Sequence, residues 1–226
     1  MIARSFSPAL FAFLRDLAAN NDREWFTANK QRYIDDVREP ALAFVEDVGH
    51  RLPEISPRFV ADPRTTGGSL FRIYRDTRFA RDKSPYKTHA GIQFRHEQAS
   101  HAHSPCFYLH LEPGNVFLAA GVWHPDGEAL RAIRTAIATR PPRWENVVGS
   151  LGEEFRLGGD TLKRPPAGFD PDHPLIEDLK RKSFIATAKL TQREATAGDF
   201  LDRFLELCRE ASPLVRFVCE ANGMRF

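Results

Sequence analysis

Hydrophobic residues in the first part of the chain recur at intervals of three or four, which is the spacing of one face of an α-helix. Ser7 before a proline is a typical helix start, Asp22 can begin a second helix, and Pro40 can begin a third. The pattern therefore predicts three helices, whose buried faces contain Leu10, Leu14 and Leu17, then Trp25, Phe26, Asn29 and Tyr33, then Leu42, Phe44, Val45 and Val48.

From residue 69 the period of the pattern changes from 3.6 to 2, which is the period of strands with one buried face. Four segments alternate in this way and are predicted to be strands: 70–75, 89–95, 106–112 and 116–123. The last two flank the compact turn Pro113-Gly114-Asn115. We therefore expect them to form an antiparallel hairpin.

Helical spacing returns after Pro125 and again over residues 197–220, with a short additional strand candidate near 183–190. Helices, then strands, then helices predict an α+β fold, in which a mostly antiparallel sheet of four or more strands packs against N- and C-terminal helices. We expect one domain over residues 1–226, with an N-terminal helical region over residues 1–52, a sheet over 69–124 and a C-terminal helical region over 126–226.

Composition is that of a globular protein, with 42% hydrophobic and 27% charged residues in 226. The longest apolar run, residues 116–123, is far below the roughly 20 residues that span a bilayer. Cys106, Cys208 and Cys219 form no CxxC pair, so we expect buried free thiols, which suit a reducing cytoplasm.

Charge is concentrated in one segment. Residues 72–89 carry a net charge of +4, and the rest of the chain carries about −2. Binding to long DNA needs a broad basic face, so this distribution favours one anionic group held at one place. The charged residues of the segment are Arg72, Arg75, Arg78, Arg81, Lys83 and Lys87, with Asp76 and Asp82.

Alternation also places polar residues together on one face of each predicted strand. A solvated face is usually rich in Lys, Thr, Ser and Glu, whereas these faces offer two Tyr, two Arg and two His. We interpret this surface as a ligand-binding one. Its residues are Arg72 and Tyr74, then His89, Gln93 and Arg95, then Tyr108, His110 and Glu112.

The loop 75–88 is long enough to be functional, and arginine suits the binding of carboxylate or phosphate. Phe79, Pro85 and Tyr86 are expected to anchor it and so to hold its cations in place. The alternative is a solvated loop in which Asp76 and Asp82 pair locally with arginines. On the first interpretation the ligand-binding residues are Arg72, Tyr74, Arg75, Arg78, Lys83, Tyr86, Lys87 and Tyr108.

The segment FRIYRDTRFARDKSPYKTH at 71–89 resembles the signature of the domain of unknown function numbered 2461. Other segments resemble the same family: NNDREWFTANKQRY at 20–33, FYLHLEPGNVFLAAGVWHP at 107–125, LKRPPAGFDPDHP at 162–174 and LKRKSF at 179–184. The resemblance implies one unit over nearly the whole chain, with the central loop as its hallmark. It implies no activity, cofactor or catalytic residue.

Metal and nucleotide motifs are missing from the sequence. The histidines lack the spacing of an HExxH motif and no cysteine cluster accompanies them, so we expect no metal and no cofactor. Gly67-Gly68 fits neither a P-loop nor a dinucleotide fingerprint, and GxSxG is missing. The histidines considered for a metal are His96, His101, His103, His110 and His124.

Two functions remain open at this point. In the first, a small phosphate- or carboxylate-bearing ligand binds the basic loop, His89 or His110 acts as general acid or base, and a carboxylate orients it, as in a hydrolase or a transferase. The carboxylate candidates are Glu112, Asp76 and Asp82. In the second, the loop is a non-catalytic module that binds nucleic acid or an acidic protein partner, with Tyr74, Tyr86 and Tyr108 stacking on bases. The small ligand is favoured over nucleic acid.

Overall fold

A computed structural model describes residues 6–98 and 104–226 of the chain. The N-terminal helices are α1 (Pro8–Ala19), α2 (Arg23–Ala28), the single turn α3 (Lys30–Arg32) and α4 (Glu39–Arg51). A π-helical turn, Tyr33–Arg38, joins α3 to α4. The carboxylate of Asp22 accepts the backbone N–H of Trp25 at 2.9 Å, which explains why α2 begins where the sequence predicts.

Within residues 6–98 and 104–226, six strands form one sheet in which every neighbouring pair is antiparallel, so the predicted α+β fold is confirmed. The order across the sheet is β1-β2-β3-β4-β6-β5. The strands are β1 (Phe59–Val60), β2 (Ala90–His96), β3 (Cys106–Glu112), β4 (Asn115–Val122), β5 (Phe155–Gly158) and β6 (Phe184–Leu190).

The prediction of a strand over 70–75 is wrong. Leu70 forms an isolated bridge with Ile92, and Phe71 donates its N–H to the carbonyl of Gly91 at 2.9 Å. The chain then changes partner, because Ile73 accepts the N–H of Lys87 at 2.8 Å. Pairing with β2 is therefore too short for a regular strand, and residues 73–87 form an arm that pairs with itself.

The C-terminal region contains α5 (Gly127–Thr139), α6 (Pro141–Gly149), α7 (Ile176–Leu179), α8 (Gln192–Ala195) and α9 (Phe200–Ala221). It also supplies β5 and β6, so the sheet extends beyond the predicted range of 69–124 into the region expected to be helical. The expected strand near 183–190 is confirmed as β6. The long final helix is confirmed as α9.

Helices cover the apolar face of the sheet. Along β2 and β3, Ile92, Phe94, Phe107 and Leu109 are fully buried, as the alternation predicts. Phe204 of α9 lies with its ring centroid 5.6 Å from that of Phe94. The buried residues of both helical regions and of the sheet belong to one contiguous hydrophobic cluster. The opposite face of the sheet carries the polar side chains described below.

No helix within residues 6–98 and 104–226 is both long and apolar enough to cross a lipid bilayer. Cys106, Cys208 and Cys219 are buried free thiols, as expected. Burial raises the pKa of Cys106 to about 11, so this thiol is uncharged at neutral pH.

We expect the chain to unfold in one cooperative transition. Neither helical region can bury its apolar surface without the other, because Phe44 of α4 packs on Phe200 and Phe204 of α9. Differential scanning calorimetry checks this expectation through equal calorimetric and van't Hoff enthalpies. Two well-separated transitions would contradict it.

Candidate functional site

The predicted polar residues of β3 lie in a row on one face of the sheet. His110 of β3 lies opposite Gly91 of β2 on one side and Phe117 of β4 on the other. Glu112 lies opposite Asn115, across the turn that joins β3 to β4. Side chains two residues apart share a face, so Tyr108, His110 and Glu112 form one row on the polar face.

The His110 ring is held by a stacking contact on one face and by a polar contact at each of its two nitrogens. The ring stacks on Phe117 with centroids 4.6 Å apart and planes 12° apart. Its Nδ1 lies 3.0 Å from the Tyr108 hydroxyl, and its Nε2 lies 3.3 Å from Oε2 of Glu112. The residue is only 8% exposed, and burial lowers the pKa of the imidazole despite the nearby carboxylate.

Glu112 is fixed by two further hydrogen bonds. Thr88 donates its hydroxyl to Oε1 at 3.1 Å, and the Asn115 amide donates to Oε2 at 3.1 Å. Burial alone raises the pKa of Glu112, but the bonds from Asn115, His110 and Thr88 outweigh it, so the pKa lies below its usual value. The carboxylate is therefore ionised at neutral pH.

His89 precedes β2 and faces His110, with ring centroids 4.4 Å apart. Burial, the neighbouring His110 and the Lys87 charge lower the pKa of His89 to about 4. Its ring nitrogens form no hydrogen bond with any other residue in the described ranges 6–98 and 104–226. One potential ligand atom from each of His89, His110 and Glu112 lies within 4.8 Å of the other two, so these three residues could hold a metal ion.

Gly91 makes room for the Tyr108 ring. A Cβ atom at Gly91 would lie 2.6 Å from the Tyr108 hydroxyl and 3.2 Å from the Phe71 ring. These distances are too short for any side chain unless Tyr108 moves. Burial raises the pKa of Tyr108 well above its usual value, so its hydroxyl stays protonated beside His110.

The Lys87 charge is close enough to His89 to lower the pKa of that imidazole, and the Arg72 charge is close enough to Lys87 to lower the pKa of the ammonium. The Lys87 ammonium lies 5.3 Å from the centroid of the Phe71 ring. Burial, and to a lesser extent the Arg72 charge, lower the pKa of Lys87. In the portion of the chain that the structure describes, neither cation forms a salt bridge or a side-chain hydrogen bond. Lys87 is half-buried, whereas Arg72 is exposed.

The other predicted ligand-binding cations are engaged within the loop. Arg75 pairs with Asp82 at 2.5 Å and Arg78 with Asp76 at 2.7 Å, while the Lys83 ammonium donates to the carbonyl of Thr77 at 2.9 Å. Asp76 and Asp82 thus contact arginines, whereas the carboxylate that contacts a histidine is that of Glu112. Local pairing, the alternative considered for this loop, applies to these two arginines.

Phe79 was expected to help anchor the loop, and this expectation is wrong. Phe79 is 97% exposed at the loop tip. Tyr86 is buried and its ring stacks on that of Phe26 of α2, with the centroids 4.0 Å apart. Its backbone N–H donates to the Asn21 side-chain oxygen, and its carbonyl accepts from the Asn21 amide nitrogen, both at 3.0 Å. The loop is therefore anchored on the N-terminal helices through Tyr86. Tyr74 is 51% exposed beside it.

Four residues of the site were not predicted: Gly91, Thr88, Asn115 and Phe117. One signal in the sequence could have found two of these residues. The turn at 113–115 determines the register of β3 and β4, which places Asn115 opposite Glu112 and Phe117 opposite His110. The contribution of Thr88 depends on the path of the arm.

Two other histidines considered for a metal lie apart from this cluster. His96 is buried, with Nε2 2.7 Å from the backbone carbonyl of Arg225. The Nε2 atom of His124 lies 3.9 Å from an Asp160 carboxylate oxygen. His101 and His103, which were also considered for a metal, lie outside the described residues.

Comparison with known proteins identifies the family of the chain. No curated protein matches the chain. A protein-family model described as a conserved hypothetical protein, DUF2461, matches residues 9–217, which include the N-terminal helices, the arm, the polar row of β3 and most of α9. The chain therefore belongs to the DUF2461 family, as the resemblance of its central segment implies.

Proposed function

We propose that Arg72 and Lys87 bind a small molecule carrying a phosphate or a carboxylate, and that the adjacent residues His89, His110 and Glu112 act on it in a hydrolysis or a group transfer. The observation that carries this proposal is a pair of neighbouring cations without an anionic partner among the described residues, beside two imidazoles and an ordered carboxylate. We call these five residues the polar-face site.

Charge explains why an anion is favoured there. Lys87 is half-buried and repelled by Arg72, so its ammonium is less stable than in water. A bound phosphate or carboxylate would replace the lost hydration and offset the repulsion. Arg72 adds a planar fork that matches two oxygens of such a group.

Two imidazoles and a carboxylate provide the chemistry. In a hydrolysis, the His89 imidazole, whose ring nitrogens have no partner among the described residues, takes the proton of a water molecule whose oxygen bonds to the phosphorus or acyl carbon of the ligand. The bond to the leaving oxygen breaks, and the same proton is returned to that oxygen. Glu112 supports this role because a carboxylate oxygen lies within 4.8 Å of a His89 ring nitrogen, where a positive charge would develop. His110 lies between the Tyr108 hydroxyl and Glu112 and orients that carboxylate.

Nucleic-acid binding has less support. Base stacking needs exposed aromatic faces, but Tyr86 is 4% exposed and packs on Phe26. Tyr108 is partly buried, and its ring centroid lies 6.0 Å from that of Phe71. Of the three tyrosines considered, Tyr74 alone is exposed. A steep loss of affinity for single-stranded oligonucleotides between 50 and 200 mM salt, on the order of a thousandfold, would instead favour this alternative.

A reducing compartment such as the cytoplasm is the proposed location. Its support is that Cys106, Cys208 and Cys219 are all free and buried. We further propose that the small anionic molecule is the main partner of the chain.

Isothermal titration calorimetry with phosphate, pyrophosphate and adenosine monophosphate, in buffer containing EDTA, tests the proposed anion site. We expect at least one of these anions to bind wild type with one site per chain. Lys87→Met removes one cation and Arg72→Lys keeps the charge but removes the planar fork. Each is expected to weaken binding roughly ten- to a hundredfold, since a hydrogen bond to a charged group contributes about 1.5–3 kcal/mol.

Lys83→Met is the matched control, because it removes the same charge from the same loop but at a residue bonded to the carbonyl of Thr77. It is expected to leave the affinity within about twofold of wild type. Loss of binding in Lys83→Met with normal binding in Lys87→Met would move the anion to the loop tip. Failure of all three anions to bind would refute the proposal.

A further inference from the structure

We infer that His89, His110 and Glu112 form a binding site for one divalent transition-metal ion, with zinc as the representative ion. Two imidazole nitrogens and one carboxylate oxygen are a ligand set that zinc takes in hydrolytic sites, with a fourth position left open. A bound ion would occupy the imidazole that the proposed function uses as a base, and would itself activate a water molecule at the open position by lowering the pKa of that water. The ion's role in the chemistry therefore rests on the proposed function. Its binding does not, because it depends on these three side chains alone.

Spacing of the ligand atoms supports the site. Nε2 of His110 and Oε2 of Glu112 lie 3.3 Å apart. Two ligands about 2.1 Å from a shared tetrahedral ion are separated by about 3.4 Å, so these two atoms already have the required spacing. The His89 atom is within 4.8 Å of both, and a shift of its half-buried ring by at most about 1.4 Å would bring it to the same spacing.

Surrounding hydrogen bonds hold the ligands as metal ligands are usually held. Metal-bound histidine commonly bonds a partner through its other ring nitrogen, and bound carboxylates are themselves hydrogen-bonded. Nδ1 of His110 lies 3.0 Å from the Tyr108 hydroxyl. Glu112 accepts bonds from Thr88 and Asn115.

His89 adds an independent observation. Its imidazole is half-buried against His110, yet neither ring nitrogen has a hydrogen-bond partner in residues 6–98 and 104–226. A polar side chain that lies next to two groups of the same ligand set, with both nitrogens free, is suited to accept an ion. The lone pair needed for coordination is therefore already available.

Lys87 opposes the ion and links it to the proposed anion. Its ammonium is close enough to His89 to influence that imidazole, so it also repels a cation bound there. A phosphate or carboxylate between Lys87 and the ion would be attracted by both. We therefore expect metal and anion to strengthen each other's binding by about tenfold, a common size for coupling between sites.

Competition with a chromophoric chelator measures zinc binding to the full chain without a tag, after treatment with EDTA and its removal. We expect one zinc per chain. His89→Ala and Glu112→Gln each remove a ligand and should weaken binding by about a hundredfold or more, because loss of a supporting hydrogen bond already costs about 10–100-fold. Thr88→Val, which removes one such bond, should weaken it by about tenfold.

His50→Ala is the control, because His50 is an exposed histidine at the end of α4, in a separate region of the fold. Its zinc affinity should equal that of wild type. Circular dichroism checks that each variant is folded. Cobalt supplies a second readout, since its visible absorption bands should appear on binding to wild type and disappear in His89→Ala. Zinc binding that survives both His89→Ala and Glu112→Gln, or no binding by wild type, would overturn the inference.

Lys87→Met separates the metal site from the proposed function. This variant should bind zinc more tightly than wild type, because a repelling charge is gone, and should bind phosphate more weakly. Anion binding in EDTA without any zinc binding would refute the metal site and leave the proposed function standing. If zinc bound but no anion bound, either with or without zinc present, the metal site would stand and the proposed function would be refuted.

Discussion

Replacing Phe44 by alanine is expected to lower the free energy of unfolding by about 3–5 kcal/mol, the usual cost of removing a buried phenylalanine. Phe44 is 1% exposed, and its ring lies 5.0 Å from Phe6, 5.7 Å from Phe200 and 5.3 Å from Phe204. The cavity left by the substitution would therefore lie where α4 packs against α9. Neighbouring rings can fill little of it because each is packed against other buried residues.

Phe79→Ala is the matched control for this substitution. Phe79 is 97% exposed, so the same chemical change removes no buried contact, and the free energy of unfolding should stay within about 0.5 kcal/mol of wild type. Urea denaturation followed by circular dichroism measures both. If Phe44→Ala were no more destabilising than Phe79→Ala, α4 and α9 would not share a tightly packed core.

Period-2 alternation predicted β2, β3 and β4 because each has one face buried against helices. Ala90, Ile92 and Phe94 are buried, and Gly114 has a φ of 80°, as the hairpin turn requires. The same alternation over 70–75 was misleading. Ile73 is buried and Arg72 exposed, yet the segment exchanges one pairing partner for another. Alternation reports burial, whereas a strand also needs a continuous partner.

β1 has two residues and β5 has four, which is too short for a period-2 pattern to be recognised in the sequence. These two strands were therefore not predicted. Their pairing depends on tertiary structure: β1 covers one end of β2, and β5 adds to the outer edge of β6. The π-helical turn over Tyr33–Arg38 has no local signal of this kind either.

The candidate site could likewise be predicted only where its residues lie on one strand. Tyr108, His110 and Glu112 could be grouped because they alternate on one strand, and the structure places them in a row. The pairing of Arg75 with Asp82 and of Arg78 with Asp76 depends on the path of the loop, which composition does not reveal. Histidine spacing in the sequence argued against a metal, whereas pairing of β2 with β3 brings His89 beside His110.

A side chain of the segment between α1 and α2, that of Asn21, is bonded to the arm that carries Lys87. The Asn21 amide donates to the Tyr86 carbonyl and its oxygen accepts the Tyr86 N–H, both at 3.0 Å. These bonds hold the residue directly before Lys87. The Lys87 N–H is in turn bonded to the carbonyl of Ile73. The position of the ammonium therefore follows from the position of Tyr86.

Asn21→Ala is thus expected to reduce both stability and anion binding. Two partly buried backbone groups lose their partners, which costs about 1–3 kcal/mol of unfolding free energy. Lys87 and its neighbours then have to be ordered when the anion binds, and at about 0.5–1.5 kcal/mol per side chain the affinity for phosphate should fall by about two- to tenfold.

Asn20→Ala is the control, because the Asn20 amide donates to the exposed carbonyl of Asp16, four residues earlier in the same region. Urea denaturation and calorimetric titration of both variants measure the two effects. If Asn21→Ala lost stability but bound phosphate like wild type, the anion would not depend on Lys87 as the polar-face site requires, whereas a parallel fall in both variants would point to α1 rather than to the contact with Tyr86.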